Sequence, residues 1–122
     1  MQLETMRPNP TWDAASYESA VETFAQLDSP TIHVWGGDWC KDCRAQLPDF
    51  GAALDAAGIS DEQIYHHPVE KNDDGSKSGE LVEEYGIDLI PTVVVELDGE
   101  QRARFVEEEH APIIVYLAEQ LS

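Results

Sequence analysis

The stretch Thr31-Ile32-His33-Val34-Trp35-Gly36-Gly37-Asp38-Trp39-Cys40-Lys41-Asp42-Cys43-Arg44 decides how this chain is read. An apolar, β-branched run from Thr31 to Trp35 leads into two glycines, then into both cysteines of the protein at a spacing of three, then into the helix formers Arg44-Ala45-Gln46-Leu47. That order predicts a buried central strand that turns tightly into a helix, with the cysteines at the turn. Cys40 falls at the helix N-terminus. There, unpaired N–H groups and the positive end of the macrodipole favour an anion and draw a thiol pKa from ~8.5 towards ~7 or below. Cys43 follows one turn later, near enough to close a disulfide with Cys40 or to displace a partner bound to it.

Working outward, the helix from Cys40 is predicted to run to about Ala57, with Leu47, Phe50 and Leu54 on one face, Gly58 as its stop and a kink at Pro48. Upstream, Thr11 is read as the cap of a helix from Trp12 to Leu27, in which Tyr17, Val21, Phe24 and Leu27 recur at helical spacing. Residues 1–10, with Pro8 and Pro10, read as an extended or frayed lead-in that holds at most a short strand around Leu3 to Met6. Residues 11–122 then form one domain.

Downstream, Gln63 to Glu70 reads as a strand, Lys71 to Gly79 as a polar loop without a phosphate-binding pattern, and Glu80 to Tyr85 as a short helix ended by Gly86. Val93 to Leu97 and Gln101 to Val106 flank Asp98-Gly99, a two-residue hairpin signal. Pro112 introduces a last helix, Ile113 to Leu121. The expected fold class is α/β: a mixed sheet of four strands, or five with the N-terminal one, sandwiched by helices.

Asp and Glu number 25 against 7 Lys and Arg, a net charge of -18. Phosphate contacts need Lys and Arg, so nucleic acid is not an expected partner. Either a basic partner or a salt-rich cytoplasm explains the acidity. Its even spread from Asp13 to Glu119 favours salt, a halophilic adaptation, with stability rising in molar salt. The N-terminus lacks the basic-then-apolar order of a signal peptide, and no apolar run approaches the ~18 residues of a membrane span. A cytoplasmic location without membrane attachment is expected. In that compartment a lone CxxC is catalytic or metal-binding sooner than a structural staple.

From about Thr11 to Leu121 the chain resembles the thioredoxin family. The likeness rests on Trp39-Cys40-x-x-Cys43 after an apolar strand, Pro48 five residues past the second cysteine, Tyr85-Gly86-Ile87, Ile90-Pro91-Thr92 and Asp98-Gly99-Glu100. The resemblance implies a thioredoxin fold and thiol–disulfide oxidoreductase activity, with Cys40 as nucleophile and Cys43 as resolving thiol. It assigns Trp39, Ile90 and a cis Pro91 to the substrate groove.

The departures concern the tuning of the thiols. Lys41-Asp42 stands where typical thioredoxins carry Gly-Pro: Lys41 favours a Cys40 thiolate and Asp42 opposes it, and the resulting WCxDC form is similar to a thioredoxin-related subgroup. Val34 replaces the buried aspartate that the family places six residues before the first cysteine, which leaves Asp38, Asp42, His33 or His66 to accept a proton in its place. Glu107 to Glu109 stands where the family presents a glycine to the groove, and it would charge that rim negatively.

The expected activity uses no cofactor and no metal. Its partners are protein or small-molecule disulfides and a reductase that regenerates the dithiol, with the protein acting as a monomer. Disulfide oxidase or isomerase activity is the close alternative. More distant ones are a metal module, in which two of His33, His66, His67 and His110 join the cysteines, and a redox-silent adaptor.

Overall fold

A computed structural model describes residues 3–121. Its strands are β1 (Thr31–Gly36), β2 (Ile64–Pro68), β3 (Glu70–Lys71), β4 (Lys77–Ser78), β5 (Thr92–Leu97) and β6 (Glu100–Val106). Its helices are α1 (Glu18–Ala25), α2 (Lys41–Ala56), α3 (Val82–Tyr85) and α4 (Ile113–Leu121). The main sheet has the order β2-β1-β5-β6, with β1 parallel to β2 and the other pairs antiparallel. This is the α/β, four-stranded mixed form expected from the sequence. β3 and β4 make a separate small hairpin across the end of the expected strand Gln63 to Glu70 and the expected polar loop that follows it.

Strand alternation sorts the helices onto two faces. A Cβ built on Gly36 would lie 3.0 Å from Leu47 of α2, so Ile32, Val34 and Gly36 face that helix. The Trp35 ring, one residue earlier, lies 4.9 Å from the Tyr85 ring of α3 on the opposite face. α1 and α4 join α2, and Phe24 of α1 meets Phe50 of α2 edge to face at 6.5 Å. Phe24, Phe50, Leu47, Leu54 and Leu117 are fully buried there against Ile32, Val34 and Val93. Each such side chain contributes ~1.5–3 kcal/mol by leaving water. At the hairpin between β5 and β6, Asp98 and Gly99 both have positive φ, 55° and 79°, as a two-residue turn that follows the strand twist requires.

Two expectations need correcting. The first concerns the N-terminal segment, where no strand forms at Leu3 to Met6. Glu4–Met6 is a 3-10 turn in which Leu3 and Met6 are buried. Side chains from elsewhere take its amides: Leu3 N–H donates to His66 Nδ1 at 2.9 Å and Thr5 N–H to Asp38 Oδ1 at 3.0 Å. With those amides capped, no sheet edge is needed, and the turn packs on α2 over Gly51, where any Cβ would collide with the Met6 carbonyl. The lead-in is thus part of the packed structure from Leu3 onward.

The second correction is to the helix expected from Trp12 to Leu27. It is a 3-10 turn at Ala14–Tyr17 followed by α1, which begins only at Glu18. Thr11 caps nothing, because its N–H and hydroxyl both donate to Asn9 Oδ1 at 3.1 and 2.9 Å. Asp13 starts the turn instead by accepting from the Ser16 hydroxyl at 2.6 Å. Among the described residues, no helix is long and apolar enough to cross a membrane.

Candidate functional site

Cys40 caps α2. Its backbone is extended (φ -85°, ψ 124°), its own N–H donates to the Gly37 carbonyl at 3.0 Å, and the Cys43 N–H points at its sulfur at 3.5 Å. The strand-to-helix turn predicted from Gly36-Gly37 therefore delivers one free thiol to the mouth of a helix. Cys40 retains 9% exposure and Cys43 none. Burial pushes the Cys43 thiol up to about 12, with the Cys40 sulfur and Asp42 adding to the rise and a backbone bond from Gly37 opposing it. Cys43 is consequently protonated at neutral pH.

The Ile90–Pro91 peptide is cis, and the Ile90 carbonyl lies 3.9 Å from the Cys40 sulfur. Ile90 thus meets the cysteine from just before β5, fifty positions away in sequence. The Trp39 ring lies across Gly37, where a Cβ would collide with it, and its indole N–H donates to the Val69 carbonyl at 2.9 Å while 47% of the residue stays exposed. Lys41 is exposed and Asp42 half-buried. Arg44 donates to the Asp38 and Trp39 carbonyls at 3.3 and 3.2 Å, which ties the turn back onto α2.

The residues considered as proton acceptors for Cys43 are mostly engaged elsewhere. Asp38 receives the Thr5 and Glu4 amides, and His66 receives that of Leu3. His66 Nδ1 must be unprotonated to accept that bond, in keeping with a pKa that burial lowers from the ordinary imidazole value. His33 faces away from the sulfurs, on the α3 side with Trp35. The histidines considered as metal ligands do not converge on the cysteines either: His33 and His67 bond one another, and His110 pairs with Glu119 at 3.1 Å. Among the described residues, no three His, Cys, Asp or Glu side chains are grouped to hold a metal.

What sequence reasoning missed is a polar chain on the α3 face. Glu96 Oε1 meets His33 Nε2 at 3.1 Å, His33 Nδ1 meets His67 Nε2 at 2.9 Å, and His67 Nδ1 meets Glu80 Oε1 at 3.0 Å. Tyr85 donates to the other Glu96 oxygen at 2.9 Å, and the Trp35 indole donates to the Glu80 carbonyl at 2.9 Å. Burial first, then the neighbouring His33, lower the His67 pKa from the ordinary imidazole value, with Glu80 opposing.

No protein-family model matches the chain, and no curated protein matches it in sequence. Solved structures do. One is a Pseudomonas aeruginosa protein of unknown function, with a TM-score of 0.53 and 19% identity over 88% of this chain and 72% of that one. Another is thioredoxin O2 from Arabidopsis thaliana in its oxidised state, with a TM-score of 0.48 and 16% identity over 98% and 94% of the two chains. At such identities the likeness concerns the fold alone.

Proposed function

We propose that this protein is a thiol–disulfide oxidoreductase that reduces disulfides with the Cys40–Cys43 dithiol. The observation that carries the reading is the asymmetry of the pair: Cys40 caps a helix with a backbone N–H directed at its sulfur, while Cys43 lies fully buried and protonated beneath it. Nucleophile and resolving thiol require that difference. The Cys40 thiolate attacks one sulfur of the substrate, a Cys40–S bond forms, and the other substrate sulfur leaves as a thiolate. That leaving thiolate takes the Cys43 proton. Cys43 then attacks Cys40, the internal disulfide forms, and the second substrate thiol is released. Two electrons pass to the substrate, and an external reductase returns them to the dithiol.

Trp39, Ile90 and Pro91 form the docking groove in this reading, and Lys41 and Asp42 tune the pair. The WCxDC sequence and the departure at Val34 support a specialised member of a thioredoxin-like group. The even acidity supports a monomer adapted to a salty cytoplasm. Reduction of a disulfide peptide, followed by thiol release in molar salt, tests the reading. Cys43→Ser should accumulate a mixed disulfide at Cys40, visible by mass spectrometry. Turnover by Cys43→Ser at the parental rate would overturn it.

A further inference from the structure

A cavity of about 470 Å³ opens where α2 meets the connection from β6 to α4. That is within the roughly 300–1,000 Å³ of small-ligand sites. Asp42, Gln46 and Asp49 line it from α2, at positions i, i+4 and i+7 of one helical stripe that starts between the two cysteines. Glu108 and Glu109 line it from the other side, and no Lys or Arg does. The far wall is held in place: Gln46 donates to the Glu107 carbonyl at 2.7 Å and Glu107 N–H donates to the Pro91 carbonyl at 2.7 Å. The cavity is therefore fixed to the groove that flanks Cys40.

Acidity alone would not single out this place in a chain with 25 acidic residues. The aromatic wall does. Trp12 and Tyr17 stack at 5.3 Å and 10°, both half-exposed, beside the carboxylates. His110, also on this wall, is engaged with Glu119 at 3.1 Å. Carboxylates next to stacked rings recognise a planar cation with an apolar stem, because a guanidinium forks onto carboxylate oxygens while its plane lies on an aromatic face.

We infer that this cavity receives an arginine side chain next to the reactive cysteine of a peptide disulfide. The inference rests on the thiol–disulfide reading for its chemistry, but arginine recognition is measurable separately. In one arm, two disulfide peptides that differ only by Arg or Glu beside the cysteine are reduced by the protein. The Arg peptide should have a kcat/KM about tenfold higher at low salt, and the ratio should collapse as salt rises. It should fall several-fold in the surface variant Glu108→Gln/Glu109→Gln. In the other arm, the Arg peptide with its cysteine replaced by alanine is titrated into labelled Cys40→Ser protein, and the Trp12 indole resonance should shift.

If neither peptide is reduced but Trp12 responds, the redox reading fails and the arginine site stands. Reduction of both peptides at equal rates, or a rate difference with Trp12 unmoved, overturns the arginine assignment and leaves the redox reading intact.

Discussion

The two faces of the sheet treat buried polar atoms in opposite ways. On the α3 face, every ring nitrogen of His33 and His67 has a partner between 2.9 and 3.1 Å, and two glutamates and a tyrosine close the chain. On the α2 face, the Cys40 sulfur has one amide at 3.5 Å and one carbonyl at 3.9 Å, both long contacts, and a fully buried Cys43 beneath it. Saturated groups are held; sparsely bonded ones stay available to an incoming atom. The contrast separates a closed polar cluster, built on β1, β2 and β5, from a sparsely bonded thiol pair at the start of α2.

The sharpest way to break that contrast is to remove the sulfur. Cys40→Ser should lower disulfide turnover by at least about a thousandfold while leaving the urea midpoint nearly unchanged. Next comes the opposite face. His67→Ala strands His33 Nδ1 without its partner and should cost ~1–3 kcal/mol in urea unfolding. The rate at which an alkylating reagent modifies Cys40 should stay within about twofold, because an unfilled site on the α3 side does not touch that sulfur. A large change in that rate would mean that the faces are coupled.

Acid should act on both faces. Burial lowers the pKa of His66 and His67 below the ordinary imidazole value, so as pH falls through ~6.5 the unfolded chain takes up protons that the folded one refuses. Stability should therefore be level above that pH and decline below it, as followed by urea midpoints. His66 and His67 are neighbours in β2 that point to opposite faces, so proton uptake at His66 should release the Leu3 amide while uptake at His67 disturbs the glutamate chain. Histidine ring resonances followed through the titration separate the two events. The smallest effect is expected from Asp38→Asn, which weakens the acceptor of the Thr5 amide by about 0.5–1.5 kcal/mol and should show as faster hydrogen exchange there.

How much of this was legible depended on how far apart the interacting residues lie. The strand, glycine turn and capped helix of residues 31–56 come from neighbours in sequence, and so does the hairpin at Asp98-Gly99, so local pattern foretold them. The meeting of Ile90 with Cys40 was foretold only through the resemblance. Two features escaped because distant side chains made them. The turn at Glu4–Met6 depends on acceptors from Asp38 and His66, and the histidine chain depends on the register that sets His67 beside Trp35 and Val94 beside His33. Neither register nor a cap borrowed from another strand leaves a periodic signal. The late start of α1 was missed for a different reason: Asn9 and Asp13 captured nearby donors that a helix cap would have used.

Trp39 gives the protein a built-in optical gauge. Trp35 is sealed and Trp12 half-covered, so a dissolved quencher should dim mainly the indole that overlies Gly37 next to Cys40. Were a sulfur–sulfur bond to close one residue away, that ring's surroundings should change, and emission alone would report it without a label.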